Sequence, residues 1–334
     1  MRVLVTGSGG FIGRHLVRAL RLRGDEVLGL DHKVAEGEGS SESSVVCDLL
    51  ESASLVMHFQ SFRPDALVHL AARTDLAGRA LEDYAANTKG VSNLLEAVRR
   101  TPSLRRAVFT SSQLVCRPGY LPAHDSDYCP NTLYGESKVK TEEIVREHDG
   151  GGVDWCLVRP TTVWGPGMSP HYRRFLHMIE QGRYVHVGQE PVRKSYGYVK
   201  NVVHEYLALL DAAPDRIRGK TLYLADYKPV SLRAWADGFR RALGAPAIRT
   251  VPKALARAAA WSGDQINALG WRGFPFNTFR LENVMTESVY DLRNTEAICG
   301  PLPYGMEAGI DETAKWFRQV ASPGAEEKHR GSKA

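Results

Sequence analysis

Arg2-Val-Leu-Val-Thr6, followed by Gly7-Ser8-Gly9-Gly10-Phe11-Ile12-Gly13, opens the chain and decides its fold. A short unbroken apolar run reads as a strand buried on both faces. Glycines 7, 10 and 13 form G-x-x-G-x-x-G, and a helical pattern follows from about Phe11 to Arg23, with Ile12, Leu16, Val17 and Leu20 on one face. Strand, glycine turn and helix together let the backbone approach a pyrophosphate while a helix N-terminus points at the anion. The stretch predicts a dinucleotide site.

Outward from it the same alternation repeats. Apolar runs at Glu26–Leu30, Ser44–Cys47, Ala66–Leu70, Arg106–Thr110 and Trp155–Arg159 read as strands. Amphipathic patterns at Ser52–Phe62, Leu81–Arg100 and Tyr134–Glu147 read as helices between them. Parallel strands need crossover connections, so this order predicts an α/β fold: a doubly wound parallel sheet of Rossmann type. After Pro160 the rhythm changes to helices at about Tyr172–Gln181, Asn201–Ala212 and Leu232–Leu243, with one late strand, Lys220–Leu224, expected to rejoin the sheet. The expected division is a dinucleotide domain at 1–160, joined by 196–228. A smaller substrate-binding α/β region at 161–195 and 229–321 and a frayed tail at 322–334 complete it. Trp261–Arg280, rich in Trp, Phe and Gly, reads as a lid or pocket wall.

Composition narrows the function. Of 334 residues 43% are apolar and 24% charged, which excludes a disordered chain. A net charge of +5 is too small and too spread for a nucleic-acid footprint, although it suits an anionic substrate. No apolar stretch reaches the 18 or so residues that span a bilayer, so no membrane partner is expected. Met1 leads at once into the first strand, so no signal peptide is expected. Five cysteines without a CxxC pair read as reduced thiols in a cytoplasmic protein. No HExxH or H-x-x-x-H spacing occurs, and no metal is expected.

Two further signals carry chemistry. Asp31 ends the second strand, 18 residues beyond Gly13, where a carboxylate accepts both ribose hydroxyls of NAD and repels a 2′-phosphate. Lys33 argues the other way, toward NADP. Asp48 and Leu49, after the third strand, are placed to meet an adenine, unless Asp48 is a solvated turn residue. Tyr134-Gly-Glu-Ser-Lys138 sets a phenol and an ammonium on one helix face. The ammonium is expected to lower the phenol pKa so that tyrosinate can accept a hydroxyl proton. Thr110-Ser111-Ser112-Gln113 lies at the carboxyl end of the fifth strand, where ligands of open parallel sheets bind.

Taken together, TGSGGFIG, Asp31, LVHLAAR (67–73), NTKGVSNLLEA (87–97), TSSQLV, YGESK, VRPTTVWGPG (158–167) and YGYVKNVV (196–203) span nearly the whole chain. In that order they resemble the extended short-chain dehydrogenase/reductase family, in its NAD-dependent sugar epimerase/dehydratase branch. The resemblance implies Ser112, Tyr134 and Lys138 as catalytic residues, with Ser111 the alternative to Ser112. It implies NAD as cofactor, held by Gly7, Gly10, Phe11, Ile12, Gly13, Asp31, Asp48, Leu49, Leu70, Ala71, Ala72, Asn87, Ser111, Tyr134, Lys138 and Pro160. It also implies a homodimer built on the helices at 81–100 and 134–147, for which Leu94, Val98, Val139 and Ile144 are apolar candidates unless they face the sheet.

The sequence departs from the family pattern in places that bear on substrate. Thr162 stands where an Asn commonly meets a diphosphate, the usual basic residue is Arg193-Lys194, and the usual V-D-D reads Val199-Lys200-Asn201. Gln113-Leu114 replaces the Asp-Glu pair of 4,6-dehydratases, which disfavours that chemistry. Ser112, Gln113, Thr162, Arg193, Lys194 and Arg280 are the substrate candidates, the basic ones as ligands of a nucleotide-sugar diphosphate or else as solvated surface. The expected activity is a nucleotide-sugar 4-epimerase working by transient hydride transfer to NAD. The alternatives are a reductase or dehydrogenase of a sugar or hydroxysteroid-type substrate, and a non-catalytic NAD-binding regulator.

Overall fold

The computed structural model describes residues 1–33, 44–268 and 276–321. The stretch Trp261–Arg280 lies partly outside them, and the tail from Ser322 wholly so. The chain divides into two units. The first comprises Met1–Val163, Gly197–Tyr227 and Tyr290–Pro303; the second comprises Trp164–Tyr196, Lys228–Val289 and the chain from Tyr304.

The first unit is built on β1 (Arg2–Thr6), α1 (Phe11–Leu22), β2 (Glu26–Asp31), β3 (Ser44–Val46), α2 (Ser52–Phe62), β4 (Ala66–His69), α3 (Lys89–Arg99), β5 (Arg106–Thr110), α4 (Leu133–Glu147) and β6 (Asp154–Pro160). With the strand Lys220–Leu224 at one edge, the sheet runs Lys220–Leu224, β6, β5, β4, β1, β2, β3. Every neighbouring pair is parallel. Chain order reverses at β1, so the carboxyl ends of β1 and β4 flank the crevice where such sheets bind ligands. Leu4, Leu67, Ala107, Phe109 and Leu157 of the sheet, with Leu55 and Phe59 of α2 and Leu94, Leu95 and Val98 of α3, make one fully desolvated core. Truncating any of its leucines to Ala costs about 2–5 kcal/mol.

The segment expected as one helix over Leu81–Arg100 is two. A 3₁₀ turn covers Leu81–Asn87, and Thr88 (φ −119°, ψ −82°) breaks the chain before α3. The break delivers the buried Asn87, whose Oδ1 accepts from the Arg73 N–H (2.8 Å) and whose Nδ2 donates to Ser137 Oγ (2.9 Å). Of the apolar residues nominated for a dimer contact, Leu94 and Val98 belong to the core, Val139 packs on Val115 and Cys116, and Ile144 packs against the core. They face inward, as helix stripes beside a sheet must. The outward positions of the two helices carry Lys89, Arg99, Glu136, Lys140, Glu143 and Glu147.

The second unit holds helices Pro170–Glu180, Leu232–Leu243, Lys253–Ala268, Thr278–Met285 and Met306–Ala321 with two short strand pairs. Its centre is aromatic: Trp235 stacks on Phe175 at 5.0 Å and meets Trp164 and Phe239 edge-on. The expectation of an irregular wall at Trp261–Arg280 fails at both flanks, which are helical. The alanine-rich 253–268 segment carries enough intrinsic propensity to hold its helix despite Gly263. Among the described residues no helix is long and apolar enough to cross a membrane.

Candidate active site

The glycine turn after β1 is a cradle that side chains would fill. Gly7 has φ +69°, and a Cβ on it would lie 2.6 Å from the Ala71 N atom; one on Gly13 would lie 2.1 Å from the Gly7 carbonyl. Only glycine allows this approach of β1, the Leu70-Ala71-Ala72 exit of β4 and the start of α1. Helix α1 begins at Phe11 and Ile12 with Gly10 as an N-cap that offers no side chain, so its first N–H groups are open to an anion. Asp31, at the end of β2, accepts from the Gly9 N–H (3.0 Å) and pairs with His32 Nδ1 (2.9 Å). Ser8 Oγ in this loop and Ser111 Oγ, directly after β5, are buried with no hydrogen-bond partner among the described residues. Glycines that admit no side chain, a bare helix start, a strand-end carboxylate and unspent hydroxyls all suit a dinucleotide.

Other residues nominated for the cofactor take varied places. Asp48 is exposed and closes a turn by accepting from the Leu50 N–H (2.9 Å), whereas Leu49 is buried against Gly90. Ala71 donates its N–H to Thr6 Oγ1 (3.3 Å), and Pro160 closes β6. Asn87 is spent on Arg73 and Ser137, which makes it a brace.

Ser112 at the end of β5 and Tyr134 and Lys138 on the first two turns of α4 form the catalytic candidates. Ser112 leaves β5 and caps the short turn Gln113–Val115, its Oγ accepting from the Leu114 N–H (3.1 Å). Thr132 caps α4 in the same way, accepting from the Gly135 N–H (3.0 Å). Gly135 is the unremarked member of Y-G-E-S-K. A Cβ there would lie 2.3 Å from the Leu114 carbonyl, so the glycine lets α4 dock on the Ser112 turn. Ser137 Oγ donates to the Tyr134 carbonyl (2.7 Å) and receives Asn87. The Tyr134 ring lies 6.3 Å from that of Tyr84.

The electrostatics differ from the expectation in one respect. Burial pushes the Tyr134 phenol up to about 12, against a hydrogen bond with Ser112 that pulls it down. Lys138 is not what sets it. Its ammonium, 1% exposed, donates instead to the Thr110 carbonyl (2.7 Å), and burial lowers it to about 8 against the pull of Glu142. Burial thus favours the protonated phenol. His69 behaves as a structural residue: Nδ1 meets Thr6 Oγ1 at 2.8 Å, and burial, with the Lys138 charge, pushes the ring down to about 3.

Gln113 and Thr162 meet, Nε2 donating to Oγ1 at 3.4 Å. The basic substrate candidates have other duties. Lys194 is buried and donates to the carbonyls of Asn283 and Thr286, so its charge is an internal tie and not a phosphate ligand. Arg193 is exposed and paired with Glu287 (3.1 Å). Arg280 is exposed, its N–H closing an Asn277 cap (3.0 Å). Among the described residues no group of three or more His, Cys, Asp or Glu could hold a metal.

The model of the NAD dependent epimerase/dehydratase family matches residues 3–223, which contain the cradle and all three catalytic candidates. The chain belongs to that family. A 3 beta-hydroxysteroid dehydrogenase/Delta 5→4-isomerase of Mycobacterium tuberculosis is 30% identical over 260 residues, 73% of this chain and 70% of the relative. A dTDP-4-dehydro-6-deoxy-D-allose reductase of Streptomyces bikiniensis is 28% identical over 95% of this chain and 96% of its own. Among solved structures, the Thermus thermophilus UDP-glucose 4-epimerase in complex with NAD superimposes with a TM-score of 0.70. It is 23% identical and covers 96% of this chain and 100% of its own. Membership makes this chain an NAD-dependent enzyme of the epimerase and oxidoreductase type.

Proposed function

We propose that this enzyme interconverts a ketone and a secondary alcohol with net hydride transfer, acting as an NAD-dependent reductase or dehydrogenase. The observation that carries the reading is the placement of the buried Tyr134 beside the Ser112 turn at the carboxyl end of β5, where burial favours the protonated phenol. Such a phenol is a ready proton donor to a carbonyl oxygen, and Ser112 is placed to steady that oxygen. The cradle at Gly7–Gly13 and Asp31 would hold the dinucleotide; its nicotinamide supplies or takes the hydride. Tyr134 gives its proton to the new alkoxide in reduction and takes it back in oxidation. The curated relatives described above are named a dehydrogenase and a reductase, which supports net redox chemistry.

A nucleotide-sugar 4-epimerase is the second reading. It shares the first half-reaction, and the family description includes it. Against it stands Lys194, a basic candidate for the diphosphate that is buried and spent on the carbonyls of Asn283 and Thr286. The deciding experiment mixes the protein with NADH and a panel of ketones: steroid-type, 3-oxoacyl and 4-keto nucleotide sugar. Stoichiometric loss of NADH absorbance with one class is expected. Epimer formation from a UDP- or dTDP-sugar, seen by NMR with no net change in NADH, would overturn the first reading in favour of the second.

A further inference from the structure

Lys138 is the buried ammonium of the site, and its hydrogen-bond partner in the protein is a backbone carbonyl, that of Thr110. Thr110 is the last residue of β5 and is followed directly by Ser111-Ser112. What fixes Thr110 therefore fixes both the lysine's partner and the start of the serine turn. Its side chain is not free: Thr110 Oγ1 lies 2.8 Å from the Tyr206 hydroxyl. Tyr206 comes from the helix Val199–Asp211 of the same unit, is fully buried, and carries in Thr110 the one hydrogen-bond partner found for its hydroxyl among the described residues. A buried phenol costs free energy unless its hydroxyl is paired, so this contact holds ring and strand end together.

We propose that Tyr206 is a positioning residue of this active site, acting through Thr110 to hold the Lys138 ammonium and the Ser112 turn in register with Tyr134. The chain runs Tyr206 hydroxyl, Thr110 side chain, Thr110 carbonyl, Lys138 ammonium, with hydrogen bonds of 2.8 and 2.7 Å at its two ends. The titratable groups facing Lys138 are Glu142 on α4 and His69 on β4; those facing Tyr206 are Cys156 on β6, Glu205 on its own helix, and Tyr134. None of these groups is tied to the Thr110 side chain, so loss of the Tyr206 hydroxyl acts on Lys138 through Thr110. A catalytic constellation is sensitive to displacements well below an ångström, which is why a residue that never touches substrate can matter.

The proposal rests on the oxidoreductase reading for its kinetic consequence but not for its structural one, and the test separates the two. The Lys138 side-chain carbon signals are titrated by NMR in wild type and in Tyr206→Phe, with the resonance identified by its loss in Lys138→Met. A downward shift of the Lys138 midpoint by about half a unit is expected, because the Thr110 carbonyl, no longer anchored through its side chain, accepts less well from the ammonium. On the substrate found above, kcat should fall by roughly tenfold with KM little changed, since misplacement affects the reacting geometry and not binding. An unchanged midpoint overturns the proposal, including where kcat falls together with thermal stability, for that is ordinary loss of packing. Should Tyr206→Phe fail to fold, Thr110→Val breaks the same contact from its other end and is read by the same criteria. A shifted midpoint in a protein that turns over no member of the panel sustains the positioning role and sinks the oxidoreductase reading alone.

Discussion

Arg159 and Glu142 form a two-pronged ion pair with no access to solvent: Nε to Oε1 and Nη2 to Oε2, both at 2.8 Å, with side chains 1% and 0% exposed. The pair ties β6 to the middle of α4, one turn beyond Lys138, and is closed by the Tyr128 hydroxyl on Glu142 (3.0 Å). Removing Arg159 leaves the buried Glu142 carboxylate with only the Tyr128 hydroxyl and a longer contact to Arg146 (3.9 Å). Arg159→Met should therefore destabilise by about 3–5 kcal/mol, whereas Arg159→Met with Glu142→Leu should recover most of that loss. Denaturant unfolding of the three variants against wild type checks this. Equal loss in the single and double variants would show that packing of the arginine, not charge, is what matters.

The first unit was legible because its signals are local. Val3–Val5 and Leu67–Val68 are unbroken apolar runs, and Gly7, Gly10 and Gly13 gain their meaning from the strand before them and the helix that they open. Y-x-x-x-K was legible through helical periodicity, which places Tyr134 and Lys138 on one face whatever surrounds them. What the sequence hid is tertiary. Nothing in Asn87 announces that it abandons helix continuity for Arg73 and Ser137, and nothing in Lys194 announces a buried amine facing two carbonyls. The Thr110–Tyr206 contact joins residues 96 apart in sequence and has no periodic signature. The burial that raises the phenol is likewise tertiary, since a motif gives proximity to a lysine but not depth in the fold.

Glu205 sets a pH dependence of stability. Burial, then the charge of Asp226, raises its carboxyl well above the ordinary 4.5. The folded chain thus holds this proton more tightly than the unfolded one, so its contribution is fully present below 4.5 and is lost as pH rises through the folded value. Glu205→Gln, which cannot ionise, should raise Tm by several degrees near pH ~8 and leave it unchanged near pH ~4. Asp226, itself raised to about 6, is coupled to Glu205, so the difference between the two curves reports the Glu205 charge together with its effect on Asp226. A Tm difference that does not vary with pH would refute the assignment.

Gly13→Ala should abolish dinucleotide binding while the rest of the sheet still folds. The added methyl has 2.1 Å to the Gly7 carbonyl, far inside contact distance, and that carbonyl belongs to the loop itself. The loop must shift, and with it the N–H groups that would face a pyrophosphate. Calorimetric titration with NAD, alongside far-UV circular dichroism, reads both halves of the prediction. Unimpaired NAD binding would mean that the cofactor does not use this turn.

Asp31→Ala should weaken NAD by about 1–3 kcal/mol, the cost of a lost charged hydrogen bond, and weaken NADP much less. The substitution also removes the Gly9 anchor, so some loss common to both cofactors is expected. The ratio of the two dissociation constants is therefore the quantity that tests the carboxylate's role. Wild-type protein that binds NADP at least as tightly as NAD would contradict the assignment of Asp31 to the adenosine ribose.

Tyr134→Phe separates chemistry from cofactor binding. It deletes one hydroxyl from a buried ring, so folding and NAD affinity should hardly change, while turnover should fall by ~10²–10⁴, the usual worth of a general acid–base group. Ser112→Ala should cost less, since it removes a hydrogen bond to the reacting oxygen and not the proton carrier. Because burial holds the phenol up at about 12, ketone reduction should be nearly flat across neutral pH, where the donor is always protonated. Alcohol oxidation needs the deprotonated form and should rise steadily between pH ~7 and ~10. Initial rates in both directions over that range, with wild type and both variants, test the ranking and the asymmetry together. Near-wild-type turnover by Tyr134→Phe would remove the phenol from the mechanism.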